Sequence, residues 1–383
     1  MFVFIFITVA RSHPLSCERG LPASRVKLIF FIFANNFVHR LTYLPLHNGK
    51  APKWLFSRMV RLGERISYAI LDEYGADELL SRLTDTNWFQ ALACALGYDW
   101  HSSGTTTVTM AALKEALKES KDIAIAGGKG KAGTNTPNEI PELADRLSIN
   151  GEEKFIEYSR LSAKVDGSMT YDNIAIYHHS FIFTKNKKWG VVQQAMENKG
   201  NMAIRFQWNS ELVNEEDFAN EPHSGIEANK SLESLDLTFH KNEWARKGLV
   251  DALHELEESN VIRYPERHAL KLKLDVGERG IEALKRASEI DPKNYKELIL
   301  VNGLGRKVIK SLAITASLIY NKELATRDPA MYAYNVGGKD GTPYRISKAH
   351  YDSIIEGMDF ILDKANLQYD EKREALKRLS TLI

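Results

Sequence analysis

The sequence predicts an α+β protein, in which a mixed N-terminal domain with a small antiparallel sheet precedes an all-helical C-terminal domain. Three observations carry this. Residues 172–208 alternate aromatic and aliphatic residues around the polar turn 185–188, the pattern of a β meander. Residues 51–96 and 243–367 instead repeat apolar side chains at three- and four-residue steps, the period of amphipathic helices. The chain has 383 residues, 44% of them hydrophobic and 26% charged, a balance that supports a substantial core in more than one domain.

Taken in order, residues 1–40 stand apart. They hold two Phe/Ile-rich runs, 1–10 and 26–38, each shorter than the roughly 18–20 apolar residues that span a bilayer. Neither has the basic start of a signal peptide. We read 1–40 as an N-terminal extension, disordered or translated from upstream sequence. A helical opening follows, with Trp54, Leu55, Met59, Leu62, Ile66 and Ile70 on one stripe, and a second run covers 76–96. The segment Asp99-Trp100-His101-Ser102-Ser103-Gly104 breaks the pattern, and a helix resumes over 110–120 behind a run of threonines. Residues 123–125 read as a short buried strand and 127–133 as a glycine- and lysine-rich loop. Strands are predicted at 174–183, 189–196 and 203–208, and helices at 243–258, 280–290, 292–301, 306–320 and 347–367. The domains are then 1–40 (extension), 41–230 (mixed) and 231–383 (helical).

Fifty-one basic against fifty acidic side chains leave a net charge of +1, so a nucleic-acid surface must come from local clustering. Cys17 and Cys94 are the only cysteines. Two thiols make neither a disulfide framework nor a thiolate zinc site, which suits a reducing, cytoplasmic setting.

The strongest motif is Asn302-Gly303-Leu304-Gly305-Arg306-Lys307, where one apolar helix ends and another begins at once. In a helix-hairpin-helix, glycines at these two places let the backbone approach a phosphate, and the first-turn N–H groups of the second helix bind it. Gly303, Gly305, Arg306, Lys307 and Lys310 are therefore nucleic-acid-binding candidates. The plainer alternative is a packing joint whose glycines only make the turn. A second glycine loop, Asn335 to Tyr344, offers Lys339, and the loop 127–133 offers Lys129 and Lys131 to a phosphate nest. The latter is no Walker A loop, because Ala132 follows Gly130-Lys131 where Ser or Thr is required.

Candidate catalytic residues are Asp99, His101, Lys164, Asp166, His178, His179, Gln193, Arg205 and His223. Imidazole and carboxylate groups together hold Mg²⁺ or Mn²⁺, and Lys or Arg stabilises a pentavalent phosphate. Strand alternation puts His178 and His179 on opposite faces, with Gln193 and Arg205 each sharing a face with one of them. The alternative is a hydrogen-bond network inside the domain. Lys164-Val165-Asp166-Gly167 also matches the lysine-x-aspartate-glycine core of nucleic-acid ligases, but the later lysine and glutamate elements of that class are not recognisable.

Residues 44–367 resemble domain-of-unknown-function family 763, uncharacterised proteins mostly from archaea and thermophilic bacteria. The resemblance rests on the segments 44–52, 99–104, 127–131, Tyr177-His178-His179, 191–194, Glu221-Pro222-His223-Ser224-Gly225 and 337–341. It supplies no mechanism, and implies that 1–40 lies outside the domain. The chain departs from the family's pattern at Ile204-Arg205-Phe206-Gln207 and at Val336, while the helix-hairpin-helix signature is intact, which favours binding over chemistry.

The function expected is a nucleic-acid, first of all DNA, backbone-binding protein, extended to a metal-dependent nuclease or DNA-repair enzyme. The alternatives are a phosphate- or nucleotide-handling enzyme acting on RNA or a small molecule, and a non-enzymatic scaffold.

Overall fold

The computed structural model describes residues 53–96, 103–172, 174–197, 203–228, 233–258, 261–263, 269–271 and 276–330. Asp99, His101, Lys339, the extension 1–40 and the helix expected at 347–367 lie outside them.

A five-stranded antiparallel meander organises the molecule: β1 (Ile123–Lys129), β2 (Ile174–Thr184), β3 (Trp189–Glu197), β4 (Ala203–Asn209) and β5 (His223–Glu227), neighbours in that order. The three central strands follow the expected pattern to within a residue or so. β1 extends four residues beyond the expected 123–125, and β5, which was not expected, closes the far edge.

Both faces of the sheet are covered. Over one lie α1 (Lys53–Tyr74), α2 (Ala76–Leu83), α3 (Thr86–Ala95) and α4 (Ser103–Ala116), whose Met59, Ile66, Leu79, Phe89, Met110 and Leu113 pack on Ile125, Ile182 and Val192. Over the other lie α6 (Thr136–Arg146) and α7 (Glu153–Ser168), linked to the sheet by the short α5 (Lys131–Thr134). Phe155 of α7 stacks into a ring cluster with Phe181, Phe183 and Trp189, at centroid distances of 5.0–5.9 Å for its contacts with Phe183 and Phe181. The sheet is thus the middle layer, and its strands are buried nearly throughout rather than on alternate residues.

The second half is mostly helical: α8 (Glu243–Lys247), α9 (Leu249–Glu258), α10 (Gly277–Ile290), α11 (Tyr295–Leu300) and α12 (Arg306–Tyr320). It also carries two two-stranded pairings, β6 (Ser234–Leu235) with β9 (Thr326–Arg327) and β7 (Val261–Arg263) with β8 (Ala269–Lys271). Its apolar residues, among them Leu298, Leu304, Ile309 and Leu312, belong to the same buried cluster as Phe206, Trp208 and Ile226 of the sheet. One core therefore runs from the sheet into the helices. Arg246 fastens the join, because its guanidinium is fully buried on α8 and donates to Asp217 (2.5 Å), Asn220 (2.9 Å) and the carbonyl of Leu237 (2.8 Å).

The glycine-rich segment corrects an expectation. It is not a free loop, because Gly127, Gly128 and Lys129 are paired with Ser180, His179 and His178 of β2. The carboxylate of Glu139 accepts from the Gly127 N–H (2.9 Å), and Lys114 Nζ donates to the Gly127 carbonyl (2.8 Å). The N–H that a phosphate nest would offer is already taken by an anionic side chain. Gly127 is held at φ +90°, and a Cβ there would lie 2.2 Å from the His179 carbonyl oxygen. Both the positive φ and the close approach demand glycine. Gly127→Ala is expected to cost about 2–4 kcal/mol, read as a lowered urea midpoint; an unchanged midpoint would show that the strand accommodates a side chain.

Candidate functional site

The register of the sheet places the predicted polar residues in two files on opposite faces. Lys129, His178, Gln194, Arg205 and Glu227 stand directly opposite one another across β1 to β5, on the α4 side. His179 and Gln193 pair one position away and face α7. The single site expected from the sequence is therefore divided, since a two-residue period sends adjacent histidines through the sheet in opposite directions.

The α7 face carries a continuous network. Asp166, fully buried on α7, receives three donors from three strands: the Gln193 side-chain amide, Trp208 Nε1 (2.8 Å) and His223 Nε2 (2.6 Å). Gln193 also donates to the Ser162 carbonyl (3.1 Å). A carboxylate and a carbonyl are both acceptors, so the Gln193 NH₂ must face them and its Oε1 must face His179 Nδ1 (2.8 Å). His179 Nδ1 then carries the proton, and Nε2 accepts from the Ser159 hydroxyl (2.9 Å). The charge of Asp166 thereby fixes a tautomer two residues away. Burial pushes the His179 imidazole below its ordinary value, opposed by the Gln193 hydrogen bond and the Asp166 charge. No buried side-chain polar atom of Ser159, Asp166, His179, Gln193 or His223 lacks a partner. Ser159, which the sequence reading missed, is marked by no motif; only the helical period of α7 places it two turns before Asp166.

The α4 face is different. Arg205 is buried in an ion pair with Glu227, lies 4.8 Å above the Phe89 ring and approaches Thr106 of α4 (3.4 Å). Gln207 donates to the Leu83 carbonyl (3.0 Å). His178 Nε2 shares a hydrogen bond with Ser180 Oγ (3.0 Å). Among the described residues, His178 Nδ1 and both amide atoms of Gln194 are buried without a partner. Burial pushes His178 from 6.5 down to about 3, with His179, Lys129 and Lys114 adding in that order. The file holds a neutral imidazole beside two ammonium groups.

Lys164 belongs to neither file. Its ammonium donates to the Leu304 carbonyl (3.1 Å), and burial lowers its pKa. The Lys164-Val165-Asp166-Gly167 segment is the end of α7, so lysine and aspartate point to different partners.

At the turn between α11 and α12, Gly303 adopts φ +91°, and a Cβ on Gly305 would meet open space. Arg306 and Lys310, both expected at the phosphate, instead turn inward. Arg306 donates to the carbonyls of Gly167 (2.8 Å) and Ile174, and Lys310 to the Thr170 carbonyl (3.2 Å) and Asp172 (2.6 Å). Of these acceptors the Gly167 carbonyl lies in the last turn of α7, where carbonyls lack intrahelical partners, and the others lie between that helix and the start of β2. Lys296 is likewise engaged, on the Glu215 carbonyl (2.7 Å). Lys307 remains exposed on the first turn of α12. Lys131 is exposed in an open depression lined by Ala132, Thr134, Asn135 and Asn138.

Among the described residues, no group of three or more His, Cys, Asp or Glu could hold a metal ion, and no helix is long and apolar enough to cross a membrane. The molecule is a three-layer protein with an antiparallel sheet between helices and polar files on both sheet faces. The family described as protein of unknown function (DUF763) matches residues 40–346, and the chain belongs to it. No curated protein and no solved structure matches the chain.

Two outcomes follow from these networks. Asp166→Ala leaves three buried donors unmet and is expected to cost about 3–5 kcal/mol, measured as loss of urea stability; a loss under about 1 kcal/mol would mean that Asp166 does not hold the strands. His178 is neutral in the folded chain, so its contribution to stability is complete above pH 6.5 and is lost as pH falls toward about 3. His178→Gln should flatten the urea midpoint against pH below 6.5. Identical slopes in both proteins would contradict burial of a neutral imidazole.

Proposed function

We propose that the chain is a nucleic-acid backbone-binding protein, DNA being the expected target, which grips phosphates at the turn between α11 and α12. The observation that carries this reading is the Asn302–Lys307 turn, in which Asn302, Gly303, Gly305 and Lys307 are exposed. Its Gly303 has a positive φ, nothing crowds Gly305, and the first-turn N–H groups of a 15-residue helix open beside Lys307. A helix N-terminus of this kind favours an anion through its free donors and its dipole.

The inward ties of Arg306, Lys310 and Lys164 support the reading in a different way from that expected. They anchor the turn to α7, which leaves the backbone donors and Lys307 to meet the phosphate. Arg286, exposed on α10, donates to the Asn302 carbonyl (3.1 Å) and brings a second cation to the edge of the turn. Contact through backbone groups positions a duplex without reading its sequence.

The enzymatic extension, a Mg²⁺- or Mn²⁺-dependent nuclease of DNA repair in the cytoplasm, has less support. The oxygens of Asp166 are engaged by Gln193, Trp208 and His223, and His178 lies on the opposite face of the sheet. The reading we favour is binding first.

Retardation of a labelled duplex should weaken steeply as salt rises, since phosphate contacts release counterions. Lys307→Glu, at an exposed position, should weaken binding at least about tenfold and lower the salt slope by about one. Equal affinity of Lys307→Glu, Gly303→Val and the parent chain would remove the hairpin from the account.

A further inference from the structure

The file on the α4 face has two unlike ends. At β5, Glu227 closes it by pairing with Arg205. At β1, it reaches solvent at Lys129. Between them stand His178 and Gln194, 1% and 0% exposed, with three polar atoms that no group among the described residues satisfies: His178 Nδ1, Gln194 Nε2 and Gln194 Oε1. Native interiors rarely leave adjacent polar atoms in this state unless water or a bound group completes them.

The surroundings select the kind of group. Lys114 crosses from α4 to the Gly127 carbonyl, and Gly127 pairs with Ser180, whose hydroxyl meets His178. Lys114 is balanced by Glu139 (2.6 Å) and Arg205 by Glu227. Lys129 makes no ion pair among the described residues; its ammonium lies 5.9 Å from the Tyr177 ring. One positive charge is therefore left at the open end. When Ser180 donates to His178 Nε2, the imidazole offers an Nδ1–H. The file then presents donors at Lys129, His178 and Gln194 Nε2, and one acceptor at Gln194 Oε1. A singly protonated phosphate has the complementary set: oxygens that accept, one hydroxyl that donates, and negative charge.

We propose that the Lys129–His178–Gln194 file binds a phosphate group, either inorganic phosphate or a phosphate monoester, entering at the Lys129 edge of the sheet. The site is separate from the hairpin and does not depend on it. Asp166 takes no part, because it faces the other side of the sheet, where Gln193, Trp208 and His223 engage it. The binding is non-covalent, and phosphate is retained or released intact.

The test is thermal unfolding of the full chain against inorganic phosphate and, separately, a nucleoside 5′-monophosphate, at constant ionic strength with chloride as control. A saturable rise in Tm of a few degrees is expected with phosphate and not with chloride. Lys129→Ala, at an exposed position that leaves the fold intact, should raise the half-saturating concentration at least tenfold. Gln194→Leu should abolish the response while leaving the protein as stable or more so, because it removes the unmet amide. Tighter binding of the nucleotide identifies a monoester as the ligand, and equal binding identifies free phosphate. The hairpin variant Lys307→Glu should respond like the parent, which separates failure of this site from failure of DNA binding. The proposal is overturned if phosphate does not raise Tm, or if parent, Lys129→Ala and Gln194→Leu respond alike; water alone then completes the buried atoms.

Discussion

The Asp166 carboxylate is the point on which the architecture depends. An ionised carboxylate is costly to bury unless donors surround it, and here three consecutive strands each supply one: Gln193 from β3, Trp208 from β4 and His223 from β5. The helix α7 is thereby pinned across the sheet at a fixed rotation. That rotation carries Ser159 to His179 on β2, so four of the five strands are tied to one helix through polar contacts. The aromatic cluster of Phe155, Phe181, Phe183 and Trp189 supplies apolar burial on the same face but no direction, and the carboxylate supplies the direction.

The other consequences follow from that orientation. The end of α7 and the turn after it present the carbonyls of Gly167 and Thr170 toward α12, where Arg306 and Lys310 donate to them. The turn between α11 and α12 is held by the very cations that its sequence offers to a phosphate. Likewise the buried Arg246 joins the sheet half to the helical half through Asp217, and Tyr295 of α11 donates to that same Asp217 (2.9 Å). Both joints use a buried charge met by several partners, which gives a unique register between layers that hydrophobic packing alone leaves loose.

The two sheet faces divide labour by how well their polar groups are met. On the α7 face every buried polar atom of the network has its partner, as a structural element requires. On the α4 face His178 and Gln194 do not, and the positive charge of Lys129 has no acidic counterpart among the described residues. Incomplete satisfaction, more than the presence of histidine or lysine, distinguishes a site that takes a ligand from a network that only holds strands.

The sequence by itself determined the three central strands of the meander and several of the helices, because each is encoded by local periodicity. Residues 174–183 and 306–320 could be read directly for this reason, and so could the opposite facing of His178 and His179. It did not disclose α6 and α7, whose polar faces weaken the apolar period, nor β5, a five-residue edge strand without alternation. Tertiary structure alone decided which polar residues meet. Ser159, Arg246 and Glu227 carry no signature, and their roles arise from strand register and helix rotation, which bring together residues as far apart in the chain as Lys164 and Leu304. It also decided that Arg306 and Lys310 tie α12 to residues 167–174, since no sequence pattern shows where an accepting carbonyl will be.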